Sequence, residues 1–555
     1  MIQPDAPRRP NQAAVAAHGM VATAEPYATR VGLDVLKRGG NAVDAAIAVA
    51  FALAVTYPTA GNLGGGGFLM LRRRNGTVRA IDYREAAPAR ATRNVFLDAN
   101  GNLIQGEGGS LVGYRAAGVP GTVAGMARAL EEGSGDFSWS ALLEPARALA
   151  GGGFLVSRSL ARSLERSRGL LNGYADSRRI YLDGGRGWKE GERLRQSDLA
   201  ETLLRLQKRG WREFYEGETA RRIAADMRRH NGLMTEADLR TYAPKDRVPL
   251  VGAYRGYKVL SMPPPSSGGI ALLQMLRMLE GFDVRTLGAD SAKRHHLLIE
   301  AMRRAFADRA EYLGDPDFVR VPVARLLDRG YLDRRRAGID PARASSSRSI
   351  GAGALASRES PDTTHFTIVD RWGTAVSNTY TLNGNYGSGA TVAGTGILLN
   401  NEMDDFAAKV GVPNLFGLIQ GERNAIAPRK RPLSSMTPTF VYDRDDRLFL
   451  TVGSPGGPTI INTVLQSIVN VVDHGMSVVD AVAAPRLHHQ WMPDEVVYEP
   501  DGLSDAARAA LEAMGHALAA RPRYLGDAQA VLLDPATRAR HGASDPRGSG
   551  ITLGH

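Results

Sequence analysis

There is no cysteine among the 555 residues, which removes disulfides, thiol catalysis and cysteine-bound metals together. Lysine is nearly as scarce, with eight residues against 61 arginines. The net charge of +11 is therefore an arginine charge, scattered along the chain, and aromatic residues make up only 6%. A nucleic-acid surface gathers its cations in a stripe with aromatic residues interleaved, so no nucleic-acid partner is expected. Long apolar runs are missing as well. The closest, Ala42 to Val55, is 14 residues long and contains Asp44, short of the roughly 18 apolar residues that a membrane span needs.

Several chemical signatures are also absent. No Gly-Lys dipeptide occurs, so there is no P-loop, and Val452 stands where a Gly-x-Ser-x-Gly elbow around Ser454 would need glycine. The pairs His295-His296 and His488-His489 are adjacent rather than three or four apart, so neither sets two ligands on one helical face. They read as structural, and no metal is expected. The segment before Met20 carries two arginines but no apolar stretch, and does not read as a signal peptide. There is no internal repeat.

What is present is a globular composition, 43% hydrophobic and 23% charged, in a chain long enough for a large core or two or three average domains. After a polar tail of about 25 residues, a helical pattern runs from Pro26 to Arg38 and stops at Gly39-Gly40. Asn41 can cap a second helix, Ala42 to Val55, apolar on every face and hence buried. The glycine run Gly64 to Gly67 leads into strands Phe68 to Arg72 and Val78 to Tyr83. It suits either close approach to a ligand or tight packing between chain segments. Residues 120 to 340 read as mostly helical, including Ser197 to Arg209 and Glu218 to Arg229, interrupted by Pro263-Pro264-Pro265-Ser266-Ser267-Gly268-Gly269. Residues 341 to 361, rich in Ser, Gly, Ala and Arg without periodicity, read as an exposed linker.

The stretch from Pro361 to Phe406 carries the chemistry. It opens on Thr363-Thr364, then alternates apolar and polar residues like two strands around an Asp370-Arg371-Trp372-Gly373 turn. A threonine hydroxyl is a poor nucleophile near neutral pH unless a base adjoins it, and an N-terminal threonine supplies its own α-amine. For Thr363 to act so, the Asp362–Thr363 bond must be cut. Residues 1 to 362 hold 54 basic and 39 acidic groups, and 363 to 555 hold 15 and 19, so pieces of opposite net charge meet at that bond. Further on, Lys409 to Lys430 is a loop long enough to be a lid. Gly453-Ser454-Pro455-Gly456-Gly457 follows a strand and opens a helix, a setting whose backbone N–H groups suit an oxyanion.

Thr363-Thr364-His365, Thr379 to Asn383, Leu398 to Phe406, Pro432 to Met436 and Gly453 to Gly457 together resemble the γ-glutamyltranspeptidase (glutathione hydrolase) family of N-terminal nucleophile hydrolases. Arg84-Glu85-x-x-Pro88, Pro263 to Gly269 and Ala307 to Pro316 agree, so the resemblance covers nearly the whole chain. It implies an α+β fold, a four-layer αββα sandwich. It further implies a large piece, 1 to 362 with 341 to 362 as its tail, and a small catalytic piece, 363 to 555, which stay together as a heterodimer after autocleavage. On the same resemblance Thr363 is the nucleophile, Thr381 orients it, and the N–H groups of Gly456 and Gly457 form the oxyanion hole. Arg84, Ser434 and Ser435 would hold the α-carboxylate of a γ-glutamyl donor, while Glu402, Asp405 and Asn383 hold its α-ammonium.

The implied substrates are glutathione or another γ-glutamyl compound, with water, an amino acid or a dipeptide as acceptor, and no cofactor. The family is usually periplasmic or extracellular. Many bacterial members carry a lid tyrosine that bonds a conserved asparagine, and here Phe416 stands in its place. Two other readings are a cephalosporin or glutaryl acylase of the same fold, which Glu402 and Asp405 argue against, and an uncleaved binding protein without activity.

Overall fold

The computed structural model describes residues 13–133, 135–351, 363–519 and 524–555; Asp362, one side of the expected cleavage site, lies outside them. Two antiparallel seven-stranded sheets stack face to face with helices on both outer surfaces, the αββα sandwich that the resemblance implies. One sheet runs Ile551–Gly554, Met20–Thr23, Thr364–Val369, Ala375–Thr381, Gly66–Arg72, Val78–Tyr83, Lys245–Arg247. The other runs Ala13–Ala16, Arg540–Ser544, Gln529–Leu533, Leu448–Gly453, Thr439–Tyr442, Tyr257–Ser261, Leu250–Tyr254. Each sheet interleaves strands from before and after Thr363. The two pieces proposed from the sequence are thus not separately folded bodies, since neither sheet is complete without both.

The strand Gly66–Arg72 shows how the layers form. Phe68 and Met70 point between the sheets, while Leu69 and Leu71 point into the helical layer. Burial on both faces is what turns an alternating strand into a continuous apolar run. Over this sheet lie Pro26–Lys37 and Ala42–Thr56. The first is capped by Glu25, which accepts from the N–H groups of Tyr27 and Ala28. The second starts on a capping box between Asn41 and Asp44, and every one of its residues is buried. The other sheet is covered by Gly268–Leu279, Ala292–Tyr312 and Thr459–Val472.

Two sequence expectations change. The polar tail of about 25 residues contains Ala13–Ala16 and Met20–Thr23, and the latter is wholly buried between the C-terminal strand and Thr364–Val369. A four-residue strand is too short for its periodicity to stand out. The linker is also ordered over its first part. Ser345 and Ser347 donate backbone N–H groups to Glu300 and Asp494, at 3.0 and 2.8 Å, and Ser347–Ile350 forms a helical turn. Residues 352 to 362 of that stretch lie outside the described residues.

Candidate active site

The hairpin Thr364–Val369 and Ala375–Thr381 builds the site's centre. Its turn is fixed by Asp370, whose carboxylate accepts from the N–H groups of Trp372 and Thr374 at 2.8 and 2.9 Å, with Gly373 in the left-handed region. The register pairs Thr364 with Tyr380, which sets Thr363 across from Thr381. Odd-numbered residues of the first strand face the opposite sheet: Thr367 bonds Thr451 there at 2.7 Å, and the His365 ring lies against Gly453. Thr363 has the same parity, so it faces the loop that begins at Gly453. A Cβ on Gly453 would stand 2.3 Å from His365 Cε1. Burial holds His365 neutral, its pKa pushed down to about 3, and Nδ1 shares a proton with Thr379 Oγ1 at 2.8 Å.

The glycine run is explained by packing. Cβ atoms on Gly64, Gly65 and Gly67 would lie 2.0, 2.0 and 2.3 Å from the carbonyl oxygens of Leu398, Thr381 and Thr379. Asn62 completes the contact by donating to Thr381 O at 2.8 Å. On the other side, Thr381 Oγ1 accepts from the N–H of Asn383, which sits in the left-handed region and donates its amide to Asn401 O.

Gly456 and Gly457, both at positive φ, join the strand Leu448–Gly453 to the helix Thr459–Val472. Among the described residues neither of their N–H groups is taken by an acceptor, and Gly457 lines the same cavity as Thr363, Thr381, Asn383 and Ser435. Over Gly457 lies the Phe416 ring; a Cβ on Gly457 would be 2.7 Å from its Cδ1. The loop that carries Phe416 thus covers Gly457 by apolar contact. Its residues are tied to the Glu402–Asp405 turn. Asp404 accepts from Leu415 N at 2.7 Å and from the Ser110 hydroxyl, while Asp405 O accepts from Gln420 and Asn424. Burial pushes the Asp404 carboxyl up to about 6. The cavity volume is about 20 Å³, room for a water molecule and too little for an amino-acid head.

Ser434 and Ser435 are held by the proline-rich loop. Ser434 N donates to Pro265 O at 2.9 Å, and Ser434 O accepts from both the N–H and the hydroxyl of Ser267. That loop therefore fixes the backbone of Ser434. Arg84 is placed differently from the simple expectation. It is fully buried and donates to Glu402, Asp405 and Pro432 O, with Glu85 3.4 Å away, and it is not among the residues that line the cavity. One guanidinium faces three carboxylates. Burial pushes Glu85 up to about 7 and Glu402 well above its ordinary range, with Arg84 pulling the other way. The cation that does line the cavity is Arg309. It lies inside the Ala307 to Pro316 motif, but nothing in a helical stretch says which residue looks into a cavity.

Away from the site, the histidines join a polar network. His296 Nδ1 and His516 Nε2 share a proton at 2.8 Å, beside Glu300. These three could in principle meet a metal, but Glu300 is already bonded by Arg303, Arg304 and Ser345, and Arg303 adjoins His516. Two guanidinium groups at that distance disfavour a further cation.

Residues 28–555 match the family model described as gamma-glutamyltranspeptidase. A glutathione hydrolase proenzyme of Escherichia coli (strain K12) is 48% identical over 533 residues, 96% of this chain and 91% of that protein. Among solved structures, cephalosporin acylase from Bacillus halodurans superposes with a TM-score of 0.86 at 29% identity, over 100% of this chain and 99% of that one. Helicobacter pylori gamma-glutamyltranspeptidase gives 0.58 at 42% identity, over 62% of this chain and 97% of that one.

Proposed function

The chain belongs to the gamma-glutamyltranspeptidase family, and from that premise we propose that it is an autoprocessing γ-glutamyltransferase and glutathione hydrolase with Thr363 as nucleophile. In maturation, the Thr363 hydroxyl attacks the carbonyl carbon of Asp362. The C–N bond breaks as the C–O bond forms, freeing the α-amine of Thr363, and water then hydrolyses the resulting ester to release the Thr363 hydroxyl and the Asp362 carboxyl. That amine, with an ordinary pKa of about 7.7 to 8.0, takes the hydroxyl proton in the next reaction. Thr363 Oγ then attacks the γ-glutamyl amide, the amine product leaves with a proton, and the acyl group passes to water or to an acceptor amine.

Thr381, across the hairpin, orients the nucleophile. The N–H groups of Gly456 and Gly457 receive the oxyanion, where losing one donor costs about a hundred- to a thousandfold in rate. Ser434 and Ser435 bind the α-carboxylate, which Arg84 reaches only by exchanging Glu402 or Asp405 for it, and Asp405, Glu402 and Asn383 bind the α-ammonium. The observation that carries this reading is the single cavity on which Thr363, Thr381, Gly457, Asp405 and the serine pair converge. The solved gamma-glutamyltranspeptidase chain matches 62% of this one, close to the share that precedes Thr363, which supports a two-piece mature enzyme. Because the cavity is smaller than an amino-acid head, the lid around Phe416 opens to admit the donor.

The acylase reading stays in view because of the likeness to cephalosporin acylase, but the surplus of buried carboxylate suits a donor with an ammonium. Denaturing mass spectrometry of the wild type beside Thr363→Ala tests processing: two fragments meeting at 362 and 363 are expected, and an intact chain from the variant. An intact, stable wild-type chain would refute it. Faster turnover of glutaryl-p-nitroanilide than of γ-glutamyl-p-nitroanilide would transfer the enzyme to the acylases.

A further inference from the structure

Arg309 sits in the last turn of Ala292–Tyr312, and only 2% of its surface reaches solvent. Burying a guanidinium without a counter-charge is costly, yet Arg309 makes no ion pair of 4 Å or less among the described residues. Its Nε donates to Ser267 Oγ at 2.9 Å, its Nη2 reaches Ser435 Oγ at 3.4 Å, and its Nη1 has no hydrogen-bond partner. Burial lowers its pKa to about 10, with Asp405 opposing the shift, so it remains a cation at neutral pH. Arg84 and Arg303, buried as deeply, have spent their charge: Arg84 on Glu402 and Asp405, Arg303 on Glu300 and Asp494.

The place of Arg309 gives that unspent charge a direction. It lines the cavity with Thr363, Asp405, Ser434 and Ser435, and the two serines it adjoins, Ser267 and Ser435, belong to the loop and motif that shape the donor's end of the cavity. A carboxylate entering there would meet a guanidinium with a donor to spare, whereas Arg84 stands outside the lining and already faces three acidic groups. A planar fork is matched to a carboxylate.

We propose that Arg309 is a second guanidinium for the α-carboxylate of the donor, acting together with Ser435, and so a determinant of selectivity for carboxylate-bearing acyl groups. The proposal rests on the γ-glutamyl reading of the site. It assigns Arg309 no part in proton transfer or in the covalent step.

The test compares mature wild type, Arg309→Gln and Arg309→Lys on γ-glutamyl-p-nitroanilide and on 4-aminobutyryl-p-nitroanilide, which keeps the ammonium and lacks the carboxylate. Loss of a charge-assisted hydrogen bond should raise KM for the γ-glutamyl donor about ten- to a hundredfold in the glutamine variant, while the 4-aminobutyryl donor changes less than about twofold; lysine, charged but without the fork, should recover part of the difference. An equal loss on both donors, in whichever variant is soluble, would overturn the proposal and leave Arg309 as packing. Thermal-shift titration with L-glutamate against 4-aminobutyrate reads the same discrimination without turnover. A wild type inactive on the γ-glutamyl donor would therefore count against the proposed function, while the glutamate shift in the Arg309 variants still decides the residue's role.

Discussion

Two of the buried clusters of arginine and carboxylate differ in charge balance, and the difference separates a brace from the proposed binding site. Near the C-terminus, Arg486 and Arg547 face Glu499 and Asp545. Arg547 grips Glu499 with Nε and Nη2 and Asp545 with Nη1, while Arg486 Nη2 reaches Asp545 at 2.7 Å. Two cations meet two anions, and both arginines also donate to backbone carbonyls. Burial raises the Asp545 carboxyl, but the pull of Arg486 and Arg547 outweighs it and holds the group below its ordinary range. At the catalytic end, one guanidinium serves Glu85, Glu402 and Asp405, with one oxygen each of Glu85 and Glu402 unbonded among the described residues. The balanced cluster ties strands together. The unbalanced one leaves a surplus of buried anionic charge, which suits the substrate ammonium proposed above.

Breaking the brace should have the largest effect. Arg547→Met leaves two buried carboxylates short of a partner and should cost about 3–5 kcal/mol of stability, read by chemical denaturation. An equal loss from Glu402→Gln would erase the distinction. Removing charge from the surplus side should behave otherwise. Glu402→Gln keeps the shape and lowers the repulsion among three carboxylates, so the melting temperature should hold or rise, while kcat/KM on γ-glutamyl-p-nitroanilide falls about tenfold, the scale of one charge-assisted hydrogen bond. Turnover of glutaryl-p-nitroanilide, which has no ammonium, should be spared.

The smallest effect is one of pH. Asp404 keeps its proton up to about pH 6 in the folded protein, whereas the unfolded chain releases it near 4. Between those values the folded state binds more protons, so this group's contribution to stability is present at low pH and is lost as pH rises through about 6. Asp404→Asn should flatten that slope, a change of about one to two degrees in a chain of this length, seen by comparing melting temperatures at pH 4.5 and 7. A variant whose slope matches the wild type would show that Asp404 does not titrate in this range.

The same contrast governs what could be read from the chain. Helices Ser197–Arg209 and Glu218–Arg229 fall on the bounds expected from the sequence, and Asn41 caps its helix as its residue type suggests, because these features are set within a few residues. Thr363 and Thr381 were legible as a pair through the family resemblance, and one hairpin sets them across from each other. Strands Met20–Thr23, Leu250–Tyr254 and Tyr257–Ser261 were not legible, because their patterns are short and partners of the first and third lie well over a hundred residues away. Arg309 was unreadable for a third reason. A helix wholly buried over most of its length has no polar face to mark which side chain opens on a cavity.

By itself the sequence pointed to the threonine proposed as nucleophile, the glycine pair, the acidic turn and the serine pair, each held in a short motif. Tertiary structure alone decided how charge is distributed among them: that Arg84 is taken up by Glu402 and Asp405, that Phe416 packs on Gly457, and that Arg309 stands in the cavity with its charge unspent. Residue identity fixes what a group can do, but the electrostatic balance of a buried site depends on groups gathered from every layer of the fold.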